Sequence, residues 1–240
     1  MKIVVVNGSP KGESSNTNVM ANAFLKGAKE AEAETVNVFL SEKEIQHCKG
    51  CFACWFKNKG QCIIDDQMKE VLSITEGGDI LVLATPLYFD NISGMLKVFM
   101  DRLVVLGDPH FEIDEQGETR HVEPVDEKTP KLVMMSNCGF SEESQFQVVS
   151  KWANRVAHHM HTEIIGEIYT TQGTLLANQV EELKPIISGY LEHIKRAGKE
   201  IATDMKLSEE TKKLLNKNFI PKEIYVQESN RSFDMMLDKS

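Results

Sequence analysis

The chain has 240 residues, of which 41% are hydrophobic, and it carries 36 acidic against 27 basic side chains. This composition excludes a largely disordered chain, and the length is sufficient to bury a sizeable core. The formal net charge of -9 argues against nucleic acid or an anionic membrane as the main partner, although local donors can still hold a phosphate. No apolar run approaches the roughly 18 residues of a membrane helix and no signal peptide is evident, so we expect a cytoplasmic protein without membrane contact.

Strand and helix patterns alternate along the chain. Short continuous apolar runs predict strands buried on both faces, and apolar residues spaced by three and four predict the helices between them. Residues 107–129 interrupt this alternation with a charged stretch that predicts a β-hairpin, and residues 219–240 show no clear period and are predicted to wrap the surface. The predicted strands are 3–6, 35–40, 79–84, 131–136 and 162–169, and the predicted helices are 19–31, 65–75, 92–103, 145–161, 179–201 and 208–216.

Five strands that alternate with helices predict an α/β fold with a doubly wound, five-stranded parallel sheet and helices on both faces. We expect residues 1–204 to form one domain with the hairpin at 107–129 inserted, and residues 205–240 to form a C-terminal helical extension. In such sheets ligands bind at the carboxyl ends of the strands. The loops after the strands are therefore the first places to look for function.

The loop after the first strand, residues 8–18, is dense in hydroxyl, amide and backbone N–H groups at the start of a helix. Such groups can surround a phosphate, and the helix dipole adds attraction. The loop lacks both the Gly-x-Gly-x-x-Gly fingerprint of dinucleotide sites and the Gly-Lys-Ser/Thr end of nucleotide triphosphatase loops. A helix start needs only one capping residue, whereas five polar residues occupy 14–18, which favours an anion site.

Three segments, each following a predicted strand, resemble the NAD(P)H-dependent FMN reductase family, which has the flavodoxin-like fold. They are residues 8–10 with 15–17, residues 85–94 and residues 136–140, and the resemblance covers about residues 1–170. It implies a phosphate anchor in the first loop, a flat apolar slot in the second and hydrogen-bond donors in the third. The predicted FMN-binding residues are Ser9, Lys11, Ser15, Asn16, Thr17, Pro86, Leu87, Tyr88, Phe89, Asn91, Asn137, Cys138, Gly139 and Phe140.

The resemblance implies an enzyme that passes hydride from NAD(P)H to bound FMN and then to a small acceptor such as a flavin or a quinone. No catalytic side chain is expected, because the flavin carries the chemistry. A homodimer or homotetramer is implied as well. Two other functions stay open: an electron carrier with FMN and an iron–sulfur cluster, and a thiol-based binding or sensing protein without turnover.

Four of the five cysteines, Cys48, Cys51, Cys54 and Cys62, follow the spacing Cys-x2-Cys-x2-Cys-x7-Cys. Three closely spaced thiolates with a fourth can ligate a [4Fe-4S] cluster, and the motif resembles that of iron–sulfur flavoproteins. Zinc fits less well, because its structural sites usually pair two Cys-x2-4-Cys knuckles at a distance. A metal-free loop packed by aromatic residues is the third alternative.

Bulky residues directly follow the third cysteine of this motif. We expect Trp55 and Phe56 to compete with a cluster for the space beside the sheet, so the protein isolated in air is predicted to contain FMN but no cluster. Another group with metal-binding side chains, His158, His159 and His161, lies near the end of a predicted helix. We interpret these histidines as cations that suit a helix C-terminus.

Overall fold

The computed structural model describes residues 1–123, 129–177 and 180–238. Its main sheet has five parallel strands in the order β2-β1-β3-β6-β7, and the two short strands β4 and β5 form a separate antiparallel hairpin. The main sheet therefore has the strand order of flavodoxin-like doubly wound folds, as predicted. The strands are β1 (Lys2–Asn7), β2 (Glu34–Phe39), β3 (Ile80–Pro86), β4 (Phe111–Ile113), β5 (Thr119–His121), β6 (Lys131–Asn137) and β7 (Ile164–Thr170).

Helices cover both faces of the sheet. One core joins α1 and α6 to the sheet, and a second core joins α3, α4 and α5 to the opposite face. Every residue of β3 is buried, which explains its continuous apolar sequence. The helices are α1 (Asn16–Glu30), α2 (Ala53–Phe56), α3 (Met68–Thr75), α4 (Gly94–Arg102), α5 (Gln147–His159), α6 (Lys184–Asp204), α7 (Glu209–Leu215) and α8 (Lys222–Leu237).

Several predicted boundaries differ from the structure. The hairpin is present, with Phe111 opposite His121, although residues 124–128 of the predicted insertion lie outside the described residues. Helix α6 begins at Lys184 rather than 179, with Pro185 in its first turn, and residues 178–179 also lie outside the described residues. Within the described part of the chain, no helix is long and apolar enough to cross a membrane.

The C-terminal segment differs most from its prediction. Residues 222–237 form helix α8, whereas the sequence indicated an irregular segment wrapping the surface. Tyr225 is the one residue of α8 that is buried, so the helix shows no regular apolar face in its sequence. Residues 239–240 lie outside the described residues.

Helices α1 and α6 pack with their backbones in direct contact at two glycines. A Cβ atom on Gly27 would lie 1.7 Å from the Lys195 carbonyl oxygen, and one on Gly198 would lie 1.9 Å from the Phe24 carbonyl oxygen. No side chain fits at either position without moving a helix. This close approach fixes α1, and with it the loop that precedes α1, against the sheet.

This contact predicts opposite effects for two glycines of the same helix. Gly198→Ala should lower the free energy of unfolding by about 3 kcal/mol, because the added methyl overlaps backbone atoms. Gly189→Ala should raise it by about 0.5–1 kcal/mol, because a Cβ there meets nothing within 4 Å and alanine favours helix. Urea unfolding of both variants measures the difference. Equal effects would show that α1 and α6 are farther apart.

Candidate functional site

Three loops meet at the carboxyl end of the sheet. Strands β1, β3 and β6 are neighbours, so the loops that follow them lie side by side. Backbone bonds extend the pairing beyond the strands: the Gly8 N–H donates to the Ala84 carbonyl over 2.8 Å, and the Leu87 N–H donates to the Asn137 carbonyl over 2.8 Å. The structure thus brings together the three segments from which the candidate site was predicted.

The first loop is shaped by its own polar groups. Ser15 is the N-cap of α1: its hydroxyl accepts from the Asn18 N–H over 3.0 Å and donates to the Gly12 carbonyl over 2.7 Å. Gly12 has a φ of 52°, in the left-handed region that glycine tolerates. Because the single Ser15 proton is used inside the loop, Ser15 acts here as a support for the loop. Its predicted contact with phosphate stays a prediction.

Other polar groups of the first loop keep unused bonding capacity. The Thr17 hydroxyl is buried and accepts from the Asn137 Nδ2 over 2.8 Å, which leaves its own proton available to a ligand. Among the described residues, the buried Asn16 Oδ1 and Asn7 Nδ2 have no hydrogen-bond partner. Buried polar atoms are normally paired, so these atoms indicate a polar ligand. Ser9 is buried and Lys11 is exposed at the same loop.

The second loop holds aromatic side chains at the surface. Tyr88 and Asn91 exchange backbone hydrogen bonds of 2.9 and 3.1 Å around Phe89 and Asp90, which both have positive φ values. This is the geometry of a tight type I′ turn. Tyr88 is half-exposed and Phe89 fully exposed, whereas Pro86 is buried as the last residue of β3. The turn thus presents an apolar rim that a flat ligand or a partner can cover.

Ser93 joins the first two loops, a role that the sequence prediction missed. Its hydroxyl donates to the Gly8 carbonyl over 2.6 Å and accepts from the Leu96 N–H over 3.1 Å as the N-cap of α4. Its backbone N–H donates to the Thr85 hydroxyl over 2.9 Å. The available signal was a serine at the second position of the predicted helix 92–103, since a serine at a helix start is typical of an N-cap.

The C-terminal extension holds the third loop in place through a hydrogen bond. The Tyr225 hydroxyl donates to the Gly139 carbonyl over 2.7 Å, and Phe140 is exposed beside it. Cys138 is buried, and burial raises the pKa of its thiol, so the sulfur stays neutral. Helix α8 therefore supports the loop, a function that no local sequence pattern indicated.

A second site lies beside α4. Cys48, Cys51, Cys54 and Cys62 all line one cavity of about 500 Å³, and all four are free thiols. Burial raises the pKa of Cys54, and the charges of the three other sulfurs raise it further. The four sulfurs therefore face one cavity and affect one another's charge, and each thiolate disfavours the others without a cation between them.

The two aromatic residues after Cys54 do not fill this cavity. The Trp55 Nε1–H donates to the Val104 carbonyl over 2.8 Å, and Phe56 points outward with 73% of its surface exposed. Neither residue lines the cavity. The expected competition for this cavity is therefore wrong, because neither the Trp55 ring nor the Phe56 ring lines it. The steric reason for predicting a cluster-free protein is thereby removed.

A buried ion pair closes the inner wall of the cavity. Arg102 donates to both carboxylate oxygens of Asp66, over 2.7 and 3.1 Å, and to the Gln46 carbonyl over 2.9 Å. Burial acts against ionisation of Asp66, but its bonds from Arg102 and from backbone N–H groups hold its pKa below the usual value. No local pattern predicted this pair, since its members lie in different elements.

Comparison with known proteins identifies the family. The model of the family described as NADPH-dependent FMN reductase matches residues 1–174. The chain belongs to this family. Membership confirms the resemblance seen in the three loops, and the family is named for FMN and NADPH.

Two relatives of this FMN reductase family member are named iron–sulfur flavoprotein, the class whose cysteine motif this chain resembles. An iron–sulfur flavoprotein from Methanosarcina thermophila is 36% identical over 113 residues, which are 47% of this chain and 58% of the relative. An iron–sulfur flavoprotein from Archaeoglobus fulgidus is 36% identical over 107 residues, 45% of this chain and 47% of the relative. The chain thus spans about half the length of the curated relatives it matches.

Solved structures share the fold of this FMN reductase family member. The azoreductase AzrA aligns with a TM-score of 0.57 at 17% identity, over 83% of this chain and 100% of its own. An FMN-dependent NADH-azoreductase from Bacillus anthracis, solved with FMN, aligns with a TM-score of 0.58 at 16% identity, over 84% of this chain and 99% of its own. These likenesses confirm the predicted flavodoxin-like fold.

The donor set at the three loops fits the cofactor in the family's name. FMN carries a phosphate, ribityl hydroxyls and a flat ring. The Thr17 hydroxyl can donate to an anion, Asn16 Oδ1 can accept from a hydroxyl, and the Tyr88–Phe89 turn offers apolar surface to a ring. The roles of the individual residues in FMN binding stay predictions.

Proposed function

We propose that this chain is an FMN-dependent NAD(P)H oxidoreductase that passes hydride from nicotinamide to bound FMN and then to a small acceptor, such as a flavin or a quinone. The observation that carries the proposal is the pair of unpaired polar atoms at the end of β1 and the start of α1, Asn7 Nδ2 and Asn16 Oδ1, together with the exposed apolar turn after β3. Bound FMN supplies the redox chemistry, accepting two electrons and a proton as hydride and returning them to the acceptor.

The residues of the chain would bind and orient the cofactor in this reaction. Thr17 donates to the phosphate, while Ser15 and Ser93 hold the first two loops in register from behind. Asn137 bonds to Thr17 and so links the third loop to the first. Preorganised N–H groups at these loops then stabilise negative charge on the ring without rearrangement.

The test of this proposal is the visible spectrum of anaerobically purified protein before and after addition of NADPH. A yellow protein whose flavin absorbance bleaches with NADPH and returns with a quinone or free flavin is expected. A colourless preparation that takes up no added FMN would contradict the proposal and favour the binding or sensing alternative.

We propose a second candidate function, in which the four cysteines hold a [4Fe-4S] cluster and the chain also transfers electrons singly. Two observations favour it: the four thiols line one cavity, and Trp55 and Phe56 do not line it. Backbone N–H groups of Gly50 and Ile64 already donate to the sulfurs of Cys48 and Cys62 over 3.5 Å. Such bonds to sulfur tune cluster potentials.

The cluster is tested by one cysteine substitution and a matched control. Anaerobically prepared protein should contain roughly four iron and four sulfide per chain, and Cys62→Ser should remove the brown colour and most of the iron. Cys138→Ser should keep the iron, because Cys138 lies in the third loop outside the cavity. Iron-free parent protein, or equal iron in Cys62→Ser, would leave the oxidoreductase with FMN alone.

We also propose a cytoplasmic location and a homo-oligomeric assembly for this chain. Five free cysteines suit a reducing compartment, which supports a cytoplasmic location. A second copy of the chain is the proposed protein partner, in a homodimer or homotetramer. Exposed apolar side chains along α8 support this assembly, because contact with a second chain would remove them from water. They are Ile224, Val226, Phe233, Met235 and Met236.

A further inference from the structure

The inserted hairpin meets the end of α5 at a group of three metal-binding side chains. Asp114 and Glu118 lie at the turn between β4 and β5, and His158 lies in the last turn of α5. Each side chain offers one ligand atom, and these atoms lie within 4.8 Å of one another. The group is separate from both the three loops and the cysteine cavity.

The Asp114 carboxylate is divided between two tasks. Its Oδ1 accepts from the backbone N–H groups of Gln116 and Glu118 over 2.9 and 2.8 Å. Its Oδ2 is buried, and among the described residues it has no hydrogen-bond partner, although only 3% of the side chain is exposed. A buried carboxylate oxygen without a donor is costly. A bound cation would stabilise this buried oxygen.

His158 faces this oxygen without forming a good hydrogen bond to it. Its Nε2 is buried without a hydrogen-bond partner in the described part of the chain, 3.3 Å from Asp114 Oδ2 and 3.6 Å from Glu118 Oε2. A charge-assisted bond would be about 2.7–2.9 Å long. Ligands bonded at 2.0–2.1 Å to a tetrahedral zinc ion lie about 3.3 Å from one another. The observed spacing matches shared ligation better than a direct bond.

We propose that Asp114 Oδ2, Glu118 Oε2 and His158 Nε2 bind a divalent transition-metal cation of the Zn²⁺ class, with water as the fourth ligand. One imidazole nitrogen and two carboxylate oxygens suit zinc, whereas magnesium and calcium prefer oxygen ligands alone. The ion's two positive charges balance the two carboxylates. His158 is then a ligand rather than only a cation at a helix end.

The proposed ion fixes the hairpin to the body of the protein. The hairpin also contacts the cysteine loop: the centroids of the His121 and Trp55 rings lie 5.1 Å apart. Arg155 Nη1 already donates to Glu118 Oε2, the same oxygen that is proposed as a ligand, and the Arg155 charge lowers the affinity for a cation at the site. Metal binding would therefore release Glu118 from Arg155 and hold the hairpin against α5.

Zinc titration of the full-length, FMN-loaded protein after chelation tests the site. X-ray absorption spectroscopy at the zinc edge distinguishes zinc bound at this site from zinc bound in the cysteine cavity. Zn–N and Zn–O bonds are about 2.0–2.1 Å long, whereas Zn–S bonds are about 2.3 Å long. We expect a nitrogen and oxygen shell that persists in a Cys51→Ser/Cys54→Ser variant. His158→Ala and Asp114→Asn should each weaken this uptake at least tenfold, and His159→Ala should change it less than twofold.

Two controls distinguish the loss of a metal ligand from a loss of folding. Asp114→Asn retains the Oδ1 acceptor that shapes the turn, so it reports on the ligand even if His158→Ala folds poorly. Circular dichroism and the flavin spectrum of every variant check the fold. Zinc bound through sulfur alone, or equal uptake by the parent and Asp114→Asn, would overturn the proposal and leave an ion pair between His158 and the carboxylates.

Discussion

Replacing Asp66 with alanine should lower the free energy of unfolding by about 3–5 kcal/mol, because the substitution leaves a charged guanidinium buried without its partner. The Arg102 and Asp66 side chains are only 2% and 4% exposed. Asp66 also accepts from the backbone N–H groups of Gln46 and Met68 over 2.8 and 3.1 Å. The substitution therefore also removes the two hydrogen bonds that join the start of α3 to the loop leading to the cysteines.

A second aspartate with an exposed partner provides the control. Asp101 pairs with Lys97 one helical turn away, and both side chains are about half exposed. Asp101→Ala should cost no more than about 1 kcal/mol, as exposed ion pairs usually do. Urea unfolding of the two variants gives the comparison. A loss below 1 kcal/mol for Asp66→Ala would show that water reaches Arg102.

The same pair predicts a pH dependence. The folded-state pKa of Asp66 lies below its ordinary value of 3.8, so its contribution to stability is fully present above that value. The contribution is lost as the pH falls through the lowered pKa of the folded state. The difference in unfolding free energy between the parent and Asp66→Ala should therefore be constant near neutrality and shrink below about pH 4. A difference that grows in acid would reverse this assignment.

The sequence predicted those parts of the fold that depend on burial patterns. Strand β3 is buried along its whole length and reads as a continuous apolar run. Helix α8 buries only Tyr225, so its sequence carries no stripe from which a helix could be predicted. Sequence periodicity thus reports how an element packs, and an element that barely packs is missed.

At the site, the sequence predicted which residues come together but not the directions of the side chains around them. The cysteine spacing predicted that four thiols could converge, and they line one cavity. The direction of Trp55 depends on a hydrogen bond to Val104, 49 positions away in the chain, which no local pattern encodes. Arg102 and Asp66 were missed for the same reason, since their contact depends on how α4 packs against the cysteine loop. Long-range contacts therefore decide which residues line the cavity.

Replacing Thr17 with valine should weaken FMN binding by about tenfold or more. The substitution keeps the shape of the side chain and removes its hydroxyl, and a hydrogen bond to a charged group contributes about 1.5–3 kcal/mol. The effect has two sources, because the Asn137 Nδ2 also loses its acceptor at 2.8 Å and can no longer hold the third loop against the first. Titration of apoprotein with FMN, followed by flavin fluorescence, measures the change.

Ser14 supplies the matched control within the same loop. Its hydroxyl is exposed and donates to the Lys11 carbonyl over 2.8 Å, so Ser14→Ala removes a hydroxyl that serves only the local turn. FMN affinity should then change less than about threefold, since the Ser14 hydroxyl bonds only within the local turn and its neutral bond, about 0.5–1.5 kcal/mol, contributes to folding and not to binding. Equal affinities for the parent and Thr17→Val would place the phosphate away from the start of α1. A larger loss for Ser14→Ala than for Thr17→Val would move it to the outer edge of the loop, towards Lys11.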